Sequence, residues 1–143
     1  FVAGHSGSGK STVLKLISGI TKPTSGKVWF NNQDLGALND NQIGFMRQHI
    51  GIVFQDHKIL YDRNVLQNVI LRLCIARAVV HQPSLLIADE PSANLDRAYA
   101  LDIMELFKTF HEAGTTVIVA AHDETLMADY GHRILRLQGG RLA

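Results

Sequence analysis

The chain is 143 residues long, 46% hydrophobic and 19% charged, which suits one cored domain and excludes a disordered or low-complexity tether. Its 14 basic and 13 acidic side chains leave a net charge of +1, too weak a field to gather nucleic acid or an acidic membrane. A lone cysteine, Cys74, excludes a disulfide framework and fits a reducing compartment.

In chain order, residues 1–3 read as the end of a buried strand already under way, so further strands are expected upstream. Residues 4–9 form a loop. Over 11–20, Val13, Leu14, Leu16, Ile17 and Ile20 recur at helical spacing, with Gly19 and Pro23 as stop signals. A short strand over 27–30 lies between the turn clusters Thr24-Ser25-Gly26 and Asn31-Asn32. A helix around 41–48 and a strand over 50–54 follow. Residues 75–80 read as a helix broken by His81-Gln82-Pro83, and 84–88 as a continuous apolar strand.

The clearest helix covers 97–112, with Leu101, Met104, Phe107 and Phe110 on one face and Asp102, Glu105 and Lys108 on others. Gly114 ends it. A buried strand over 115–121, a short helix over 124–130 and a strand over 132–137 complete the chain before Gly139-Gly140. Apolar runs such as Val117-Ile118-Val119-Ala120-Ala121 are strand-sized, far below the ~20 residues of a membrane-spanning helix. Strands buried on both faces and alternating with helices predict an α/β domain, a three-layer and mostly parallel sheet with helices on both faces.

Gly4-His5-Ser6-Gly7-Ser8-Gly9-Lys10-Ser11 matches G-x-x-x-x-G-K-[ST], with a strand before it and a helix after it. Glycines let the backbone wrap a phosphate chain and turn amides toward it, and the new helix adds unpaired N–H groups. Lys10 offers a point charge to β- and γ-phosphates, Ser11 a hydroxyl for Mg²⁺, and Thr12 continues the binding turn.

A second feature is the apolar run Leu85-Leu86-Ile87-Ala88 ending in Asp89-Glu90. Emerging beside the phosphate loop, Asp89 could hold Mg²⁺ and Glu90 could polarise an attacking water. Taken alone, the pair also suits a solvated strand end that caps the next helix. His122 follows the strand over 115–121, at the rim where ligands gather in open α/β sheets, and Gln55 follows the strand over 50–54. Each could reach a phosphate, the metal or the water, and each also suits a plain cap. The other six histidines read as surface or loop residues.

The phosphate loop, Gln55, Asp89-Glu90, Ser92-Ala93-Asn94-Leu95-Asp96 and His122 stand in the order seen in ATP-binding-cassette (ABC) ATPases. Within that family the chain most resembles the cassettes of bacterial cell division. The resemblance runs through residues 4–11, Ile50-Gly51-Ile52-Val53-Phe54-Gln55-Asp56-His57, Asp62-Arg63-Asn64-Val65 and Ile75-Ala76-Arg77-Ala78-Val79-Val80. It implies a P-loop NTPase fold, with ATP and Mg²⁺ as cofactors. It implies ATP on residues 4–12 and metal on Ser11, Gln55 and Asp89. Glu90 is then the catalytic base, His122 the switch histidine and Asp96 the acid of a loop that contacts a second copy.

The same resemblance implies a homodimer on the cytoplasmic face of the bacterial inner membrane. It would be held there by an integral membrane partner rather than a span of its own, and would control cell-wall hydrolases. The segment 55–68, with Tyr61 and Arg63, is the expected docking surface; Phe54 is an anchor or a core residue. A transport ATPase would share every catalytic residue. A phosphotransferase or an ATP-binding scaffold would share the phosphate loop.

One family feature is absent: no Leu-Ser-Gly-Gly signature occurs. Asn68-Val69-Ile70-Leu71, which resembles the entry to the helical subdomain bearing that signature, abuts Arg72 directly. A segment is therefore expected to be missing between Leu71 and Arg72, with ATP turnover weak or absent as the consequence. The family's adenine-stacking aromatic is expected upstream of Phe1.

Overall fold

A computed structural model of the chain describes residues 1–54, 64–93, 95–131 and 133–143, and over 64–70 the backbone alone. Leu85–Asp89 (β5) is buried at every position and pairs in parallel with Ile50–Val53 (β4) and Thr116–Ala121 (β6). Val2–Ala3 (β1) lies parallel between β6 and Leu135–Gln138 (β7), and β7 turns back into Arg141–Leu142 (β8). The order is β4-β5-β6-β1-β7-β8, parallel but for the last strand.

Successive strand side chains point to opposite faces, so β5 divides its apolar residues between two cores. Leu85 and Ile87 pack with Leu14 of Lys10–Ile17 (α1) and with Ile43 and Met46 of Asp40–Arg47 (α2). Leu86 and Ala88 pack with Leu71 and Ile75 of Asn64–Val79 (α3), Ile103 and Phe107 of Arg97–Glu112 (α4), and Leu126 of Glu124–Tyr130 (α5). Each of these fully buried large side chains contributes about 1.5–3 kcal/mol. The three-layer arrangement is the one the alternation of strands and helices predicts.

Strand register then decides where the chemistry gathers. Asp89 of β5 and Val2 of β1 both lie level with Ala120 of β6. The residues that follow these strands, Gly4, Glu90 and His122, therefore leave the sheet at one rim.

The structure moves several predicted boundaries. Helix α1 stops at Ile17, short of 20, because Gly19 takes φ 67 and the Ile20 N–H returns to Lys15 O (2.9 Å), a left-handed cap. A Cβ on Gly19 would lie 3.0 Å from Met46, so the same glycine lets α2 approach. The strand expected over 27–30 shortens to Trp29–Phe30 (β2), paired with Gln33–Asp34 (β3) in a separate two-stranded sheet. Asn31 and Asn32, at φ 47 and 62, supply its two-residue turn. The strand expected over 132–137 is β7, which starts at Leu135, whereas α4 and α5 keep their predicted bounds.

Helix α3 begins well before 75 and runs unbroken through Leu71 and Arg72. At the expected junction this chain is therefore continuous. Leu71 is buried, while Arg72 points outward to Asp102 (3.3 Å) with its guanidinium 5.2 Å from the Tyr99 ring centre. In this helix Arg72 occupies the outer face while Leu71 meets the core. Among the described residues no helix is long and apolar enough to cross a membrane.

Candidate functional site

The loop between β1 and α1 is shaped by its glycines. Gly7 and Gly9 take φ 78 and 103, values that a side chain resists. A Cβ on Gly4 would fall 2.5 Å from the Leu137 carbonyl oxygen. The Ser8 N–H donates to His5 O (3.1 Å), and from the β7–β8 turn the Gly140 N–H donates to Ser8 O (3.1 Å). Gly9 caps α1 without any side-chain hydrogen bond, which leaves the first-turn amides, at Lys10 and its neighbours Ser11 and Thr12, for an anionic ligand. Lys10 itself is buried. Its ammonium donates to Gly4 O (2.7 Å) and His5 O (3.2 Å).

The acidic pair arrives at this same place. Glu90 Oε1 lies 3.1 Å from Lys10 Nζ, and Glu90 Oε2 lies 2.9 Å from His122 Nδ1. One carboxylate thus bridges the phosphate-loop lysine and the histidine that follows β6. Glu90 also holds the left-handed conformation, φ 47, with its N–H donating to Ala120 O (2.9 Å). A non-glycine residue in that region costs about 1–3 kcal/mol and concentrates at functional sites.

Asp89 is 5% exposed, and its Oδ1 has no hydrogen-bond partner. A buried carboxylate oxygen left bare is costly, and a cation would satisfy it. Among the described residues no cluster of three or more His, Cys, Asp or Glu side chains could cage a metal. That donor set fits Mg²⁺, which takes one or two protein oxygens and completes its shell with phosphates and water.

Asp96 caps α4, its carboxylate accepting from the Tyr99 N–H at 2.9 Å. Gln55, Tyr61 and Arg63 lie outside the described residues, as does Asn94; Phe54 is half-buried. A cavity of 290 Å³ opens beside Glu90 and His122. A larger one, 1140 Å³, lies among Val117, Phe107 and Tyr130, where β6 extends below the two-residue β1.

Three contacts escaped the sequence reading: the Lys10–Glu90 pair, the Gly140 brace on the loop, and a fork from Arg136 to Glu124 (2.6 and 2.9 Å). The Arg136 hydrogen bonds hold the Glu124 carboxyl below the usual carboxylate range, and Glu124 in turn raises Arg136. None has a local motif. Each joins different elements of the fold, at least 12 positions apart in the chain.

The chain is similar to several known proteins. Cell division ATP-binding protein FtsE of Escherichia coli K12 is 38% identical over 184 residues, covering 99% of this chain and 83% of the relative. The chain belongs to the ABC ATPase family. FtsE of Bacillus subtilis is 30% identical over 98% of the chain and 80% of the relative. The lipoprotein-releasing ATP-binding protein LolD of Buchnera aphidicola is 34% identical over 86% and 73%. Among solved structures, a dimeric post-hydrolysis state of the cassette MJ0796 bound to ADP and Pi superposes at TM-score 0.84, with 28% identity over 99% of this chain and 81% of that one.

Two details bear on the Leu71–Arg72 junction. The ABC transporter family model matches residues 1–71 of this ABC ATPase and stops there. The 184 residues aligned with FtsE exceed the chain's 143 by 41, so at least that many positions of the relative face no residue here.

Proposed function

We propose that this chain is the ATP-binding and ATP-hydrolysing subunit of a cell-division membrane complex. It would pair with a second copy and dock an FtsX-like integral membrane protein at the cytoplasmic face of the inner membrane. Through that protein its nucleotide cycle would control cell-wall hydrolases. The FtsE relatives support the division role, and the dimeric MJ0796 cassette supports pairing.

The amides of residues 4–12 and the Lys10 ammonium bind the triphosphate. Ser11, Asp89 and Gln55 would hold Mg²⁺, which would supply positive charge to offset that of the phosphates. Glu90 orients and deprotonates the hydrolytic water, and His122 holds the Glu90 carboxylate in place. Asp96 lies in the loop facing the second copy, and residues 55–68 form the surface for the membrane partner. The observation that carries this reading is the Glu90 carboxylate set between Lys10 and His122 at 3.1 and 2.9 Å.

A helical segment carrying the family's signature, which would complete the site across the dimer, belongs between Leu71 and Arg72; the family-model match that ends at Leu71 and the 41 unmatched positions of FtsE support this. Without it this chain binds ATP and turns it over weakly. Equilibrium ATP binding and phosphate release on three proteins test the assignment. Lys10→Ala should lose nucleotide; Glu90→Gln should keep nucleotide and lose whatever release the parent shows. Binding that survives Lys10→Ala overturns it.

The LolD match sustains a second reading, a lipoprotein-releasing ATPase. Rescue of cells depleted of FtsE, against cells depleted of LolD, separates the two.

A further inference from the structure

We propose that Lys10 and Glu90 form a latch across the phosphate loop, so that an incoming triphosphate must displace the catalytic carboxylate from the lysine before that carboxylate can serve water. This deepens the ATPase reading above and rests on it.

An ammonium has three protons to donate, and Lys10 Nζ has three partners: Gly4 O at 2.7 Å, His5 O at 3.2 Å and Glu90 Oε1 at 3.1 Å. No donor remains for a phosphate. One partner must leave when nucleotide enters. The two carbonyls belong to the loop backbone, which the Gly140 N–H braces at Ser8 and which has no room at Gly4 beside Leu137 O. Glu90 is the movable partner, since its carboxylate hangs on a side chain with two methylenes. It is also the partner that phosphate repels, because two anions cannot share one buried ammonium without strong mutual repulsion.

Burial gives the latch its strength. Lys10 is 5% exposed and Glu90 16%, so water replaces neither partner well, and breaking such a pair without substitution is costly. A γ-phosphate is the substitute for the lysine. Glu90 keeps its second anchor, His122 Nδ1 at 2.9 Å from Oε2, and swings about it. The left-handed backbone at Glu90, φ 47, places the side chain back toward the phosphate loop rather than along the strand.

The test is equilibrium binding of a non-hydrolysable ATP analogue, which needs no turnover. Glu90→Asp keeps the negative charge but is one methylene too short to reach Lys10, and aspartate tolerates positive φ better than glutamate, so the variant is expected to fold. The latch predicts that Glu90→Asp binds the analogue about tenfold more tightly than the parent, as Glu90→Gln also does. If only Glu90→Gln gains affinity, charge alone opposes the nucleotide and the latch is overturned; if neither gains, it is overturned outright. Lys10→Ala, run alongside, keeps the two questions apart. Loss of binding there upholds the ATP site whatever the Glu90 variants do, and unaltered binding overturns site and latch together.

Discussion

Two regions of this molecule relate to its family in opposite ways. The rim above β1, β5 and β6 sets Glu90 3.1 Å from Lys10 and 2.9 Å from His122, and the preceding Asp89 keeps a bare carboxylate oxygen. Helix α3 instead runs unbroken across Leu71 and Arg72, where the match to the family model ends. The rim depends on short strands in parallel register, and register is pinned because both sheet faces are buried. The α3 junction depends on a helix continuing wherever apolar and polar faces suit it. Leu71 finds the core, and Arg72 finds Asp102 and Tyr99. The rim is thus held by strand register and the junction by helix continuity, two independent constraints.

The largest effect that could break this contrast is at Lys10. Lys10→Ala removes three polar contacts and leaves Glu90 without its buried cation. ATP affinity measured by calorimetry should fall about a hundredfold; a loss under threefold would mean that the rim is not the nucleotide site. Next comes the junction. Placing the FtsE segment between Leu71 and Arg72 should raise phosphate release at least about tenfold, while ATP affinity changes less. Equal release with and without the segment would erase the distinction between the two regions.

Gly4→Ala drives a methyl into Leu137 O and the Ser8 hydroxyl, and should cost about 1–3 kcal/mol. Thermal melting reads the loss, and an unchanged melting temperature would show the loop to be looser than its contacts imply. Arg72→Ala removes an exposed pair and a ring contact and should cost under about 1 kcal/mol. A much larger loss in denaturant titration would make the junction a structural keystone rather than a tolerant splice.

The smallest effect is at the Glu124–Arg136 fork. Arg136 lowers the Glu124 pKa, so their stabilisation is complete above the ordinary carboxylate range and disappears as pH falls through the lowered value. Arg136→Ala should slightly flatten the acid side of a stability–pH curve. An unchanged slope would show the fork to be inert.

Much of this was legible before any coordinates. The 97–112 and 124–130 helices have strong apolar periodicity and side-chain caps at Asp96 and Asp123, and their bounds coincide with the structure. The phosphate loop was legible because its spacing serves a ligand, not a neighbour. β3 was not, since Gln33-Asp34 shows no apolar alternation and pairs only because Asn31 and Asn32 turn the chain. The extent of α3 was also hidden. Its apolar residues surround the helix too evenly for a 3.6-residue period to stand out.

Residue types and their spacing were enough to specify the alternation of strand and helix, the phosphate loop and the acidic strand end, because each depends on neighbours within a few positions. The fold alone decided that Glu90 reaches Lys10 and His122, across 80 and 32 positions of chain. It also left Asp89 with a bare oxygen and set Gly140 against Ser8. Those contacts depend on which strands lie side by side and in what register. Backbone hydrogen bonding and the burial of both sheet faces settle that collectively, and no single segment encodes it.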